Sequence, residues 1–344
     1  MSLPKNILFV DVETTGLSND DRVVSFGAVA LDASTLGSGA WKIEETHLIF
    51  DPGVPSHPMA LKVHGYDDWT LRHQPPFPLY AHFIKSMISR CDLLVAHNAD
   101  FDLKFLSREL ASARETWPDA KTYCTMQAER RRGRPAGLDA VCGRIGVPSR
   151  GRRHSAFDDA FRAMQVFLHQ HGVSVNGLAS PTKKPSNLKK VPRKPKDGIT
   201  DRAPDVERAR IEKLAELLAL QRREVYPGLL ALRWIAGSAF LEDAKIASVA
   251  RAFMETESAA HTAQVIDEFP EIAILDVARL GCEWRDVRNA LDAIRSDLPK
   301  RQRLSDAIER CIRADGQIAK EEIERLRQVA DYLGGQIAIA FVAT

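Results

Sequence analysis

No stretch of this chain is apolar for long enough to span a bilayer, which excludes a helical membrane protein. The opening Met-Ser-Leu-Pro-Lys-Asn passes straight into a strand-like run, which predicts no signal peptide. Cys-x-x-Cys pairs are missing too. The five cysteines, at positions 91, 124, 142, 282 and 311, are odd in number and scattered. That argues against a disulfide scaffold or a zinc site and for reduced thiols in the cytoplasm. Nor is one sign of charge in excess: 48 Lys and Arg face 46 Asp and Glu, and a net charge of +2 selects no partner. What remains is a globular composition, 44% hydrophobic and 27% charged, over 344 residues, with room for two domains of ordinary size.

The stretch Phe9-Val10-Asp11-Val12-Glu13-Thr14-Thr15-Gly16 stands out within that composition. An apolar run from Ile7 leads into two carboxylates with one valine between them. Strand residues alternate sides, so Asp11 and Glu13 point one way and Val12 points into the core. Two like charges forced together are costly unless something neutralises them. A hard divalent cation with oxygen ligands does so. A solvated strand end is the alternative for any single Asp-x-Glu.

Strands are expected over 6–11, 23–31 and 44–50, with turns between them, and a short apolar strand at 92–96. Helices are expected near 79–89, 100–114, 125–132, 137–146 and 155–170, and residues between 51 and 78 read as loop. Strands first, then strand and helices in alternation, predict an α/β domain over 1–172 with a mixed sheet and packed helices. Residues 173–203 form a Pro- and Lys-rich linker. Lys183, Lys184, Lys189, Lys190, Arg193, Lys194 and Lys196 carry no acid among them. Such a run either tracks nucleic-acid phosphates or is a solubilising tether. From 204 to 344 the pattern is all-α, with helices expected at 206–223, 227–236, 242–256, 271–281, 284–295, 301–313 and 320–333. Trp234-Ile235…Leu241…Ile246…Val249 echoes Cys311-Ile312…Ile318…Ile323…Leu326. The echo is either a repeated unit or shared helix periodicity.

Two further acidic sites follow the first. In His97-Asn98-Ala99-Asp100-Phe101-Asp102, Asp102 shares a helix face with Phe105 and Leu106 and points toward the sheet, while Asp100 is placed as the N-cap. In His154-Ser155-Ala156-Phe157-Asp158-Asp159, Asp159 falls in a column with Ala163 and Val166, and Asp158 in a polar column with Arg162, Gln165 and His169. Asp159 is therefore assigned to the site and Asp158 to solvent or the helix N-terminus. Four carboxylates suit two divalent ions about 4 Å apart that clamp the attacking and leaving oxygens of a phosphodiester. A histidine near neutrality can accept the proton of the attacking water.

Together the three motifs resemble those of the DnaQ-like DEDDh 3′–5′ exonuclease family, over roughly residues 5–170. The resemblance implies an RNase H-like fold, a mixed five-stranded sheet with helices. It implies Asp11, Glu13, Asp102 and Asp159 as ligands of two Mg²⁺ or Mn²⁺ ions and His154 as general base. Ser155 stands where the sister subclass has Tyr. Substrate would be nucleic acid with a free 3′ end, single-stranded DNA favoured by the likeness alone. RNA trimming, or an inert nucleic-acid-binding scaffold, are the alternatives. Thr14, Thr15, Gly16, Leu17, His97, Asn98 and Phe101 would line the terminal-nucleotide pocket, with Phe101 either stacking on a base or packing in the core. His97 reads as a hydrogen-bonded structural histidine. Arg152 and Arg153, with Arg130, Arg131, Arg132, Arg134, Arg144 and Arg150, would meet phosphates. His64-Gly65 resembles a recurring loop of the family, with no chemistry attached. Around Asp315-Gly316 the second half resembles TerB-like helical domains and lacks the alternating oxygens of a calcium loop. It is expected to be an interaction or regulatory module, with a protein as its partner.

Overall fold

A computed structural model of the chain describes residues 3–36, 41–147, 154–175, 183–196, 198, 201–237, 248–250, 252–253, 282–315 and 319–334. The chain divides into two compact units, Met1–Lys213 and Leu214–Thr344.

In the first unit β1 (Asn6–Thr14), β2 (Val23–Asp32) and β3 (Lys42–Ile49) form an antiparallel meander. The strands β4 (Leu93–Ala96) and β5 (Thr122–Cys124) continue the sheet parallel to β1, in the order β3-β2-β1-β4-β5. This is the RNase H-like mixed five-stranded sheet with flanking helices. Of its strands, β5 was not foreseen, because three residues carry no readable periodicity. The expected 51–78 loop contains two short helices, α1 (Pro58–His64) and α2 (Asp68–Leu71). Their signals were present: Pro58 at the first helical position and Gly65, at φ 67°, closing the last turn.

Both faces of the sheet are covered, which is why its central strands read as continuous apolar runs. Leu8, Val10 and Val12 pack with α3 (Pro78–Arg90) and α4 (Ala99–Ser112). Ile7 and Phe9 face the opposite layer, where α5 (Thr125–Arg131), α6 (Leu138–Ile145) and α7 (Ala156–Gln170) lie; Phe9 meets Phe167 edge-on at 5.5 Å. Because α6 covers its outer side, α7 is buried from Ala156 to Leu168 apart from Asp159. Of the polar column, Asp158, Arg162 and Gln165 lie inside and His169 is exposed; Asp158 takes the second of its two expected places, the first turn of the helix, and is buried there.

Gly27 decides where α7 sits. It pairs with Asp11 across β1 and β2. A Cβ there would lie 2.1 Å from the Ala156 backbone, closer than any side chain tolerates. Its missing side chain lets the first turn of α7 rest on the sheet beside Asp11.

The division between units falls within α8 (Pro204–Ala236). A break was expected between 223 and 227, yet the helix continues through Pro227. Proline removes one backbone bond, a cost of about 3 kcal/mol. Val225, Tyr226, Leu229 and Leu230, all buried, offset it at about 1.5–3 kcal/mol each. In the second unit α9 (Trp284–Leu291), α10 (Leu298–Asp315) and α11 (Lys320–Tyr332) share this core through Leu291, Leu304, Ile308 and Val329. This is a separate all-α region. The helix expected at 271–281, most of that at 242–256, the Asp315-Gly316 turn and Leu241, Ile246 and Ile318 of the echo lie wholly or partly outside the described residues. Among the described residues no helix is long and apolar enough to cross a membrane.

Candidate active site

The site forms at the C-terminal end of β1, where three layers converge. Asp11 and Glu13 share the side of β1 that faces α7. One carboxylate oxygen from each of Asp11, Glu13 and Asp159 lies within 4.8 Å of the others. Asp102 arrives from the opposite layer on α4. Its Oδ1 accepts a hydrogen bond from the Val12 N–H at 3.1 Å, so the strand residue between the two acids is what holds it. The helix starts earlier than expected. Asn98 is its N-cap, its carbonyl accepting from Phe101 N–H at 2.8 Å, and Asp100 lies in the first turn, accepting from Gln127.

Gathering these acids costs free energy. Burial, then repulsion from Asp102, Asp159 and Glu13, holds the Asp11 carboxyl well above its usual range. Glu13 is raised by burial, then by Asp159 and Asp102. Burial pushes Asp102 and Asp159 each up to about 7. Arg162, 2% exposed, opposes this: its guanidinium donates to Asp159 at 3.0 Å and to Asp139 at 2.5 Å. Sequence reasoning missed that contact, although Arg162 lies one helical turn after Asp159. Three close carboxylates with one buried cation beside them retain excess negative charge. An all-oxygen donor set of that kind fits a hard divalent metal.

Beside the acids opens a cleft of about 1010 Å³. One wall is the Thr14–Leu17 turn and the other is α1 with the residues before it. The turn is firmly held. Thr14 Oγ1 donates to the Gly16 carbonyl at 2.6 Å. The fully buried Thr15 donates to Asp21 Oδ1 at 2.8 Å, and a Cβ on Gly16 would strike that Asp21 carboxylate at 2.6 Å. Arg22 forks onto Glu109 with two bonds of 2.7 Å, tying the turn to α4. Leu17 is 81% exposed and Met59, across the cleft, 61%. Phe101 lines the cleft while packing on Phe105 at 4.9 Å. His64 is buried, stacks on Tyr66 and also lines it. Ser56, His57 and Met59 went unnoticed in the sequence because their helix did.

The remaining candidates are spread more widely. His97 is buried with both ring nitrogens engaged, one with Thr125 Oγ1 and one donating to the Ala136 carbonyl, each at 2.8 Å. Burial lowers its pKa to about 4. Asn98 is exposed at the start of α4. His154 is exposed in the turn before α7, whose N-cap is Ser155. Arg150, Arg152 and Arg153 lie outside the described residues. Arg132 and Arg144, both exposed, ion-pair with Glu129, because that buried carboxylate must be neutralised where it sits. Arg130, Arg131 and Arg134 are exposed.

A mixed sheet of this order, with a carboxylate cluster able to hold a divalent metal at the end of its first strand, is an arrangement suited to phosphodiester hydrolysis, and the chain's likeness to known proteins gives its class as exonuclease. The Exonuclease family pattern matches residues 8–167. The epsilon subunit of DNA polymerase III from Haemophilus influenzae is 30% identical over 188 residues, spanning 50% of this chain and 70% of that protein. That of Rickettsia conorii is 30% identical over 174 residues, spanning 48% and 73%. The chain belongs to the DEDDh family of 3′–5′ exonucleases, to which these epsilon subunits are related. Among solved structures, a 3′-exonuclease in 3′-end-specific recognition of a histone mRNA stem-loop is 17% identical with a TM-score of 0.41, covering 50% of this chain and 85% of that one. Exonuclease X with 5′-overhanging duplex DNA is 18% identical with a TM-score of 0.36, covering 50% and 97%.

Proposed function

We propose that residues 5–170 remove nucleoside 5′-monophosphates one at a time from the 3′ end of a nucleic-acid strand. The observation that carries the reading is the convergence of Asp11, Glu13 and Asp159 within 4.8 Å beside a cleft open enough for a nucleotide. Asp102 completes the ligand set for two Mg²⁺ or Mn²⁺ ions. When bound, the metals neutralise the charge of the acids and of the scissile phosphate. The protein's own part is to position the strand. The Thr14–Leu17 turn and Phe101 hold the terminal nucleotide, with Leu17 and Met59 as apolar surfaces for its base, since single strands are gripped through stacking. An inert scaffold is the weaker alternative, because every acid and the histidine of the motifs are present.

His154 serves as the general base, on the turn that leads into the Asp159 helix. His154→Ala is expected to slow turnover by roughly 10²–10⁴-fold, while Mn²⁺ binding, followed by calorimetry, stays as in the parent. A near-parental rate would remove the histidine from its role.

Likeness to epsilon subunits supports DNA as substrate. RNA trimming is the alternative. Matched DNA and RNA oligomers, single- and double-stranded, test the choice: faster release from DNA supports the likeness, and faster release from RNA overturns it. For the all-α region, interaction with a protein partner is the proposed role, with a TerB-like resemblance behind it.

A further inference from the structure

The basic stretch after the family's core is, where described, tied down. Residues 183–187 run beside β3 and parallel to it. His47 Nδ1 donates to the Lys183 carbonyl at 2.6 Å, and Ser186 N–H donates to the His47 carbonyl at 2.8 Å. The Asn187 amide takes both backbone groups of Ile49, accepting at 2.8 Å and donating at 2.7 Å. Further on, Lys189 N–H donates to Gln74 at 2.9 Å, and the Trp69 indole donates to the Pro192 carbonyl at 2.8 Å. These anchors use backbone groups, two side-chain amides, an imidazole and an indole; Lys183 spends its charge on Glu45 at 3.3 Å, and the track begins after it. Lys184, Lys190, Arg193, Lys194 and Lys196 are all exposed.

Strand direction and register locate this strap. Both β1 and β3 oppose β2, so β3 ends at the same edge of the sheet as the carboxylates. Asn187 sits beside Ile49, Ile49 pairs with Ser25, and Ser25 pairs with Glu13. At about 4.8 Å per strand, Asn187 is roughly 14 Å from Glu13 across the sheet. The strap then passes α2, whose N-cap Asp67 feels the charge of Lys194 and follows closely on His64 of the cleft. A line of cations therefore begins a few phosphate steps upstream of the acids.

We propose that residues 184–196 are a phosphate track that holds the single strand upstream of the 3′ end being cut. The proposal rests on the exonuclease reading above and adds a second binding site to it. A strand threading toward the acids would otherwise meet only their negative field; cations fixed along its path lower that cost and set its direction of approach. Fixing the backbone in advance also spares the ordering entropy a loose tail would lose on binding.

The test uses the full chain with Lys190→Ser, Arg193→Ser and Lys194→Ser combined. Affinity for a single strand of about 15 nucleotides is expected to fall at least about tenfold at low salt. The slope of log K against log salt should flatten by roughly 2, about 0.7 per lost contact. Hydrolysis of the p-nitrophenyl ester of thymidine 5′-monophosphate, which carries no upstream phosphate, should be unchanged. Asn187→Ala, which keeps every charge and loosens the strap, should weaken strand binding while preserving the salt slope. Unchanged affinity and slope in the triple variant would overturn the track. So would an equal loss on the ester, since a track acts only on substrates long enough to reach it. Strap-dependent strand binding by a wild-type protein that hydrolyses neither strand nor ester would instead sink the exonuclease reading and leave the track standing.

Discussion

Asp11→Asn is expected to abolish nucleotide release while raising the melting temperature of the metal-free protein. The first effect follows from the ligand set. Loss of one carboxylate between the scissile phosphate and its counter-ions removes several kcal/mol of transition-state stabilisation, roughly 10³-fold or more in rate. The second follows from the electrostatics of the apo site. Asp11 is pressed by burial and by three other acids, with Arg162 the opposing cation. A neutral amide of the same shape relieves that repulsion and keeps the backbone pairing of Asp11 with Gly27. Steady-state release from an end-labelled strand gives the first readout and thermal melting in chelator the second. A variant that loses activity and stability together would mean that Asp11 holds the strand end in place and is not there for charge. Asp159→Asn should match the rate loss, but its stability gain should be smaller, because Arg162 then loses one of its two anionic partners.

The contrast between those two aspartates also marks what could be read from the amino acids. Asp11 and Glu13 were legible because strand alternation is a two-residue rule that needs no knowledge of the rest of the fold. Asp102 was legible as an inward acid because it shares a face with Phe105 and Leu106, even though the start of its helix was misplaced by two residues. The environment of Asp159 was not legible. Its column was chosen correctly, but whether the neighbouring polar column met water depended on α6 lying over α7. Arg162, Asp158 and Gln165 are all buried, Arg162 with its guanidinium on Asp139 of that covering helix. Periodicity gives direction around a helix and cannot say how many sides are covered. For the strap, composition left a phosphate track and a solubilising tether equally open, because its anchors are largely backbone groups to which composition is blind. One side chain, Asn187, could have hinted at an edge pairing, since its amide imitates a peptide unit.

The gathered acids make stability depend on pH and metal together. In the folded chain Asp102 and Asp159 are each raised to about 7 by burial, and Asp11 and Glu13 are also raised. Unfolded, such groups titrate near 4. The folded state thus binds more protons above pH 4, and linkage makes stability fall as pH rises through the folded values. Histidines work in the opposite direction: His97, lowered to about 4, and His47, lowered by burial, favour folding as pH rises, an effect whose slope has halved at the unfolded imidazole value near 6.5 and which is complete about one unit above it. Between pH 6.5 and 8 the four carboxylates outweigh the remaining half-titration of the two histidines. In chelator, melting temperature is expected to drop across that interval by on the order of 5 °C. With excess Mg²⁺ or Mn²⁺ the drop should vanish or reverse, because metal binds the ionised acids of the native state only and stabilises it in proportion to the logarithm of its concentration. Asp11→Asn should flatten the chelator profile and remove most of the metal's effect. A chelator profile that is level or rising in the parent protein would show that the four acids are not under mutual pressure, and the cation site inferred from their convergence would go with it.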